Sequence, residues 1–319
     1  MRKLFIITVL LLAAASYSAM SGENIKKVKL YLIWTPQCEF AGFYAAKENG
    51  IYRKYGLDVE ILPRYSLKSP SKMLNSSEAD FSILWLSTAL LEREKGTPVV
   101  NLCQIICNSS LIAIANKRAG IHSMQDLNGK RIGIYKDDPV EIQKLIFKKN
   151  NIEPLYVPIS SSIYPYLKGG ILAISATSYN EYYKLISSGV DSSDMTIFSF
   201  KDYLYNIPED GIYCLDDTYN KDPELCRKMV QASLEGWRWS FANQDSAVSI
   251  VLKEMLKYNI QANRMHQSWM LAKIKELSCK IANNVDQHFL SKKEYDGLIE
   301  FLKQNGILKS FPKYEDFIK

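Results

Sequence analysis

Residues 28–62 constrain the fold of this chain more than any other segment. β-Branched and aromatic residues run from Val28 to Ile33, as in a buried strand. Glu39 to Asn49 can form a short helix, and Gly50 suits the left-handed turn that follows a helix. A second strand is predicted over Leu57 to Leu62. The order strand, helix, turn, strand is typical of α/β proteins.

The N-terminus has the pattern of a secretory signal peptide. Arg2 and Lys3 give a basic start, Leu4 to Ala15 is apolar, and small residues continue through Gly22. The apolar run is too short to span a bilayer comfortably. We therefore expect residues 1–21 to be removed and the mature protein to be soluble and periplasmic. An uncleaved membrane anchor is the alternative.

The composition is that of an ordinary globular protein. The 319 residues are 47% hydrophobic and 23% charged, with a net charge of +6. Lys and Arg are scattered rather than clustered, so we expect no nucleic-acid partner. The three histidines stand alone, and the six cysteines match no zinc pattern. We therefore expect no metal and no cofactor.

An exported chain can form disulfides. Cys103 and Cys107 are predicted along or beside one strand, where they would be too far apart to bridge without a bend. Cys214 with Cys226 is the more plausible pair. Buried apolar thiols are the alternative for most of the cysteines.

Beyond residue 62, short strand patterns alternate with helical patterns. Strands are predicted over Asp80–Leu84, Val99–Cys107, Leu111–Asn116, Lys130–Tyr135, Leu155–Ile159, Ile171–Ala176 and Asp194–Ser199. From Pro223 onward the pattern is helical. This alternation predicts an α/β fold with mostly parallel sheets and a helical C-terminal part.

Four segments resemble type II substrate-binding proteins. They are residues 34–61, residues 123–134 (SMQDLNGKRIGI), residues 178–190 and the LEGWRW helix at 234–239. More narrowly, they resemble the branch that contains thiamine-pyrimidine precursor binders and thiamine pyrimidine synthase. Alkylsulfonate binders belong to the wider family.

The resemblance implies a two-lobed type II periplasmic-binding-protein fold, in which each lobe is a mostly parallel sheet flanked by helices. Lobe one would comprise residues 25–113 and 212–319, and lobe two residues 114–211. Two crossings between α/β lobes make a hinge, and the cleft between the lobes is a ligand site.

Aromatic residues gather after the first predicted strand, where open α/β sheets bind ligands. They include Trp34, Phe40 and Tyr44, with Gln37 between them. An aromatic face can stack on a flat heterocycle. The resemblance implies that Trp34 contacts a pyrimidine. Core packing is the alternative for the aromatic residues, and helix capping for Gln37.

A second group, Ser178, Asn180 and Glu181, follows a strand of the second predicted lobe. The resemblance implies that this step presents an acid across the cleft, and a carboxylate matches the donor edge of an aminopyrimidine. A plain helix cap is the alternative role of Asn180. Two more residues complete the predicted ligand-binding set. Trp85 follows the third strand, and Asp137 lies at the start of a second-lobe helix.

The resemblance also allows the residues needed for synthase activity to be compared with those of this chain. When this chain is aligned with the synthase, Leu84 stands where the synthase has the lysine that bears the cofactor. Thr88 stands where the synthase has its donor histidine. A pyridoxal aldimine needs an amine, which Leu84 lacks. The glycine-rich phosphate loop is replaced by KDDPV, residues 136–140. We therefore expect a binding protein rather than a catalyst.

The resulting expectation is the monomeric, extracytoplasmic substrate-binding component of an ABC importer. Its partners would be a small solute, with a thiamine pyrimidine precursor favoured, and an ABC permease in the membrane. The alternatives are a thiamine pyrimidine synthase-like enzyme, a binder of alkylsulfonates or nitrogenous solutes, and a sensory ligand module.

Overall fold

The computed structural model describes residues 25–64, 68–136, 140–281 and 290–319. Within these ranges, the strands are β1 (Lys26–Tyr31), β2 (Leu57–Leu62), β3 (Phe81–Trp85), β4 (Val99–Gln104), β5 (Leu111–Asn116), β6 (Arg131–Tyr135), β7 (Leu155–Ile159), β8 (Ala173–Thr177), β9 (Met195–Ser199) and β10 (Asp210–Leu215). The helices are α1 (Ala41–Glu48), α2 (Ile51–Lys54), α3 (Pro70–Asn75), α4 (Leu86–Glu94), α5 (Val140–Lys149), α6 (Tyr164–Leu167), α7 (Glu181–Ser187), α8 (Phe200–Tyr203), α9 (Asp216–Lys221), α10 (Pro223–Ala242), α11 (Gln244–Lys257), α12 (Arg264–Leu277), α13 (Lys292–Gln304) and α14 (Tyr314–Phe317).

The predicted signal peptide, residues 1–21, lies outside the described residues. Within the described ranges, no helix has both the length and the apolar character needed to cross a membrane.

Local sequence accounts for many element boundaries. Strand β2 reads LDVEIL and buries Leu57, Val59 and Ile61 while the acids between them face solvent, which is the period of a half-buried strand. Gly50 takes the left-handed conformation between α1 and α2 with φ of 68°, as predicted. Helix α3 begins after Ser69, whose side chain accepts a hydrogen bond from the backbone of Lys72.

The strands form two sheets, with the orders β2-β1-β3-β10-β4 and β7-β6-β8-β5-β9. In the first sheet, β1 pairs in parallel with β2 and β3, and β10 runs antiparallel to its neighbours. In the second sheet, β6 pairs in parallel with β7 and β8, and β5 runs antiparallel. The antiparallel strand of each sheet is the first one that the chain forms after crossing from the other sheet. The predicted α/β fold is confirmed.

The chain crosses between the sheets twice, once between β4 and β5 and once between β9 and β10. The predicted lobe limits at residues 113/114 and 211/212 fall inside β5 and β10. The chain therefore passes to the other sheet before Leu111 and again before Asp210, in each case slightly earlier than the predicted limit.

Glu209 joins the two crossings. Its carboxylate accepts hydrogen bonds from the backbone nitrogen of Ser110 at 2.5 Å, from Ser110 Oγ at 2.7 Å and from Ser109 Oγ at 3.1 Å. Asn206 adds two more contacts: its Oδ1 accepts from the backbone nitrogen of Ser109, and its Nδ2 donates to the carbonyl oxygen of Cys107, both at 2.9 Å. The crossings therefore form one hydrogen-bonded unit.

A disulfide joins Cys107, on the first crossing, to Cys279, just beyond α12. The predicted pair Cys214–Cys226 is wrong, because both are free, buried thiols that share a side-chain hydrogen bond. Strand β4 ends at Gln104, so Cys107 lies on the bend that follows it and reaches a helix end far away in sequence. That contact depends on the tertiary fold.

Helix α10 crosses α1 at a glycine contact. A Cβ atom added to Gly236 would lie 2.7 Å from the Cβ of Ala46 and closer still to the carbonyl oxygen of Gly42. Next to this contact, Trp237 is 1% exposed, and its ring meets Phe43 edge-on with centroids 5.7 Å apart. The LEGWRW segment thus packs α10 closely against the helix that follows the Trp34 loop.

Candidate ligand-binding site

A cleft opens between the two sheets at the carboxyl ends of their parallel strands. Trp85 is the last residue of β3, and Tyr135, Ile159 and Thr177 are the last residues of β6, β7 and β8; all four line the cleft. The cleft has a volume of about 670 Å³, open solvent included. This is the edge at which α/β sheets bind ligands.

Five of the predicted ligand-binding residues line this cleft. They are Trp34, Gln37, Trp85, Asn180 and Glu181. Trp34 and Trp85 come from the first-sheet side, and Asn180 and Glu181 face them from the start of α7. The tertiary fold therefore brings together the two groups of residues that the sequence singled out separately.

Three other predicted residues do not line this cleft. Phe40 and Tyr44 are 0% and 3% exposed and lie in the core, because they point inward from the same face of the turn and helix after the Trp34 loop. Ser178 uses its backbone instead: its nitrogen donates to the carbonyl oxygen of Ser110, and its own carbonyl oxygen accepts from Trp269 Nε1 at 3.3 Å. Asp137 lies outside the described residues.

Glu39 forms the buried end of the cleft on the first-sheet side. Its side chain is 4% exposed and accepts hydrogen bonds from Gln37 Nε2 and, at 3.1 Å, from the hydroxyl of Tyr179. It also shares a side-chain hydrogen bond with Asp210. Burial raises the pKa of Glu39 to about 7, and burial together with the Glu39 and Glu209 carboxylates holds the pKa of Asp210 well above its usual range.

Glu181 forms the corresponding group on the second-sheet side. Its Oε2 accepts from the hydroxyl of Tyr135 at 2.7 Å and from the nitrogen and hydroxyl of Thr177 at 3.0 and 3.1 Å. Its Oε1 accepts from Asn180 Nδ2 at 2.9 Å. Lys184 Nζ lies 3.8 Å from Oε1, which is an ion-pair contact but too long for a hydrogen bond. Because each carboxylate oxygen can accept about two hydrogen bonds, Oε1 retains capacity for a ligand donor.

Asn180 occupies the N-cap position of α7, but its side chain makes no capping bond. Its Oδ1 has no hydrogen-bond partner among the described residues, although the residue is only 6% exposed. A buried acceptor without a partner is costly, and a ligand donor would satisfy it. The capping role considered for Asn180 is therefore not what its side chain does.

Hydrogen-bond acceptors dominate the inner end of the cleft. Five donor side chains lie within hydrogen-bond distance of the two carboxylates and are already bonded to them: Gln37, Tyr135, Thr177, Tyr179 and Asn180. At this end, the groups left for a ligand are carboxylate oxygens and the Asn180 amide oxygen, beside the Trp34 and Trp85 side chains, although the lining of the whole cleft also includes the donor side chains of Arg64 and Lys136. Such a site favours a flat molecule with N–H or O–H donors on its edge.

Several lining residues were missing from the predicted ligand-binding set. Tyr135 ended a predicted strand and Tyr179 adjoined Asn180, so strand ends and neighbouring positions would have identified both. Glu39, two residues after Gln37, also lines the cleft. Arg64 and Lys136 add cationic groups to the lining, and no sequence pattern marked either one.

Helix α12 links the two sides of the cleft from behind. Helix α12 is fixed to the Trp34 loop by a bond from the backbone nitrogen of Cys38 to Gln267 Oε1 at 2.7 Å. On its other side, His266 stacks on Tyr183 of α7 with ring centroids 5.2 Å apart. Burial lowers the pKa of His266 to about 4, with a further contribution from Lys184. His266 is thus a packing group.

The positions that would carry synthase chemistry are buried elsewhere. Leu84 is 0% exposed and Thr88 is 6% exposed. Neither side chain supplies an amine or an imidazole, so the residues present do not fit a covalently held pyridoxal group.

Two curated relatives match along most of their lengths. A formylaminopyrimidine-binding protein of Halalkalibacterium halodurans is 22% identical over 260 residues, which cover 77% of this chain and 76% of the relative. The riboflavin-binding protein RibY of Chloroflexus aurantiacus is 23% identical over 272 residues, covering 75% and 71%. In contrast, a pyrimidine phosphate synthase of Saccharomyces cerevisiae matches over 108 residues, or 34% of this chain.

A solved structure shows the same fold. The periplasmic aliphatic sulphonate binding protein SsuA of Escherichia coli superposes with a TM-score of 0.68 at 9% identity, covering 92% of both chains. This confirms the two-lobed periplasmic-binding-protein fold.

The comparisons also bear on catalysis and family. The relatives that match along most of their lengths are binding proteins, so the prediction that this chain is not an enzyme is confirmed. The sequence model of the family described as NMT1/THI5 like matches residues 37–247, which is more than half of the chain. This protein therefore belongs to the NMT1/THI5-like family.

Proposed function

We propose that this protein is the extracytoplasmic substrate-binding component of an ABC importer. Its cleft would bind a small nitrogen heterocycle, with a thiamine pyrimidine precursor as the favoured ligand. The observation that carries this proposal is the acceptor-lined inner end of the cleft beside Trp34 and Trp85.

The chemistry of an aminopyrimidine matches these groups. Its ring can stack on an aromatic face, which adds about 0.5–1.5 kcal/mol beyond burial. Its amino group can donate to Glu181 Oε1, a charge-assisted bond, and to the unpartnered Asn180 Oδ1. A sulfonate or nitrate has only acceptors and would face acceptors at the same positions. The formylaminopyrimidine-binding relative supports the same choice.

The proposed mechanism is closure of two lobes around one solute, followed by delivery to a membrane permease. The lobes would be residues 25–113 with 212–319, and residues 114–211, adjusted to the sheet limits at β5 and β10. The protein would act as a periplasmic monomer after loss of its signal peptide. Closure requires that the ligand bind the closed state more tightly than the open one.

A thermal-shift screen of the mature protein tests this function. The panel contains formylaminopyrimidine, hydroxymethylpyrimidine, thiamine, riboflavin, taurine, alkylsulfonates and nitrate. A ligand at about 100 times its dissociation constant adds about 2.7 kcal/mol to the stability of the protein. We expect the pyrimidines to raise the melting temperature. A response to sulfonates or nitrate alone would overturn the ligand while keeping a transport role.

The Trp34 side chain gives a sharper test of the same site. Trp34→Ala should weaken pyrimidine binding by more than about 1 kcal/mol, since both stacking and burial are lost. Trp34→Phe keeps an aromatic face and serves as the matched control, so it should retain most of the affinity. Equal dissociation constants for wild type and Trp34→Ala, measured by calorimetry, would rule out stacking at this position.

A further inference from the structure

Two cationic side chains line the cleft from opposite sheets. Arg64 follows β2 by two residues, and Lys136 comes directly after β6. The backbone nitrogen of Arg64 donates to the carbonyl oxygen of Trp34 at 3.1 Å. The backbone nitrogen of Lys136 donates to that of Ile159, at the end of β7, at 3.0 Å. Each side of the cleft therefore carries one positive charge, and the one on the first-sheet side adjoins the Trp34 loop.

A second space adjoins the cleft at these two cations. Arg64 and Lys136 line both spaces, and the second one continues to Ser87 and Thr88 near the start of α4. We call this second space the outer cavity. Its volume is about 990 Å³, open solvent included. A heterocycle in the cleft could therefore extend a substituent past the cations into the outer cavity.

The outer cavity contains hydroxyl groups that the protein leaves unused. Ser87 and Thr88 are 1% and 6% exposed, and their hydroxyls have no hydrogen-bond partner among the described residues. Both lie in the first turn of α4, where amide nitrogens have no partner within the helix and the helix dipole favours anions. A buried hydroxyl without a partner is costly, and it can donate to an acceptor. These two residues thus indicate, independently of the cations, that an acceptor belongs in this space.

The acids of the outer cavity do not cancel its positive charges. Glu92 and Glu141 belong to its lining. Glu92 pairs with Lys95 at 3.0 Å, and Glu141 pairs with Lys144 at 3.2 Å. Within the part of the chain that the structure describes, no acid forms an ion pair with either cation at the junction of the two spaces. Both positive charges are therefore available to a ligand.

The two ends of the combined site have opposite chemistry. The inner end of the cleft presents carboxylate oxygens and the unpartnered oxygen of Asn180. The junction with the outer cavity presents two cations, with the Ser87 and Thr88 hydroxyls beyond them. A ligand that satisfies both ends has a donor edge on its ring and a negative charge on the opposite side.

We propose that the heterocycle bound in the cleft carries an anionic substituent, of the charge and size of a phosphate monoester, which binds between Arg64 and Lys136. Arginine can hold a phosphate through two parallel hydrogen bonds, whereas lysine acts as a point charge. Because the two cations come from opposite sheets, the anion would favour the closed state of the lobes. This inference rests on the proposed function, since it specifies the class of heterocycle that the cleft takes.

A matched pair of ligands tests this subsite in wild type. Calorimetry compares hydroxymethylpyrimidine with its phosphate ester, which differ only in the anionic group. We expect the ester to bind at least about tenfold more tightly, which corresponds to one hydrogen bond to a charged group. Equal or weaker binding of the ester would refute the anion subsite and leave the proposed function intact.

Two variants locate the subsite. Arg64→Gln and Lys136→Gln should each reduce the advantage of the ester over the alcohol by about tenfold. Both dissociation constants are measured on the same variant, so a general loss of folded protein cancels from their ratio. Arg53→Gln, which removes an exposed charge from α2 outside both spaces, is the matched control and should keep the wild-type ratio. A wild-type ratio in both Arg64→Gln and Lys136→Gln would overturn the role of these cations.

Two more titrations separate the remaining outcomes. If inorganic phosphate tightens binding of the alcohol and the ester has no advantage, the cations bind a free ion, and the attached substituent is refuted. Failure of both pyrimidines to bind would count against the favoured ligand of the proposed function. Riboflavin and flavin mononucleotide then form a second matched pair for the same subsite. A preference for the mononucleotide that Arg64→Gln removes would support the anion subsite, and its absence would overturn it.

Discussion

Replacing Glu39 with glutamine should make the stability of the free protein less dependent on pH. In the unfolded chain, Glu39 has its ordinary pKa of 4.5, but in the folded protein burial raises that pKa to about 7. The folded state therefore holds a proton that the unfolded state releases between these two values. Stability from this group is complete below pH 4.5 and is lost as the pH rises through 7.

The size of the effect follows from the two pKa values. One pKa unit corresponds to about 1.4 kcal/mol. Between pH 5 and pH 8, most of the shift in the pKa of Glu39 is expressed, which gives a loss of roughly 2 kcal/mol in the free energy of unfolding. The side-chain amide of the Glu39→Gln variant cannot titrate, so the variant should lack this loss and should gain stability relative to wild type as the pH rises.

Urea denaturation of both proteins at pH 5 and pH 8 measures the effect. His266 contributes with the opposite sign, because burial lowers its pKa to about 4 and the resulting stability is lost as the pH falls below 6.5. Its contribution cancels when wild type and variant are compared, since Glu39 is not among the groups that set its pKa. An equal change in unfolding free energy for the two proteins would refute the buried state assigned to Glu39.

Three further changes test the site and the fold. Glu181→Gln should weaken aminopyrimidine binding by about 2 kcal/mol, as expected when a hydrogen bond to a charged group is lost; an unchanged calorimetric dissociation constant would argue against this contact. Cys107→Ser should lower the free energy of unfolding in guanidinium by about 2–4 kcal/mol through loss of the bond to Cys279, and an unchanged midpoint would contradict a stabilising role. Gly236→Ala should destabilise the protein by about 1–3 kcal/mol, because overpacking against α1 exceeds the helix-propensity gain; a higher melting temperature would show that the two helices can separate without cost.

Local patterns predicted much of the secondary structure, since they reflect burial along one element. Strands β2, β5 and β7 begin and end where the sequence indicated. Short helices such as α8 and α9 were missed, because four to six residues carry too little periodicity to separate them from loops. The position of each antiparallel strand depends on how the chain crosses between sheets, which no local pattern encodes.

The cleft lining was predictable where a residue lies at a strand end or shortly after one. Trp34 and Trp85 were found in this way, and Asn180 and Glu181 came from the family resemblance. Phe40 illustrates the limit of the approach: a single turn of 3-10 helix directs its ring into the core instead of the cleft.

Other parts of the site depend on contacts distant in sequence. The pairing of Glu39 with Asp210 joins the loop after β1 to the strand that returns from the second sheet. The bond between Cys107 and Cys279 spans 172 residues. Both become visible only once the two sheets are placed against each other.

Titration calorimetry with formylaminopyrimidine at pH 8, using wild type and Trp34→Ala, tests the proposed ligand site most directly. We predict saturable binding of one ligand per chain to wild type and clearly weaker binding to the variant. Absence of binding to wild type, or equal binding to both proteins, would contradict recognition of an amino-substituted heterocycle against Trp34.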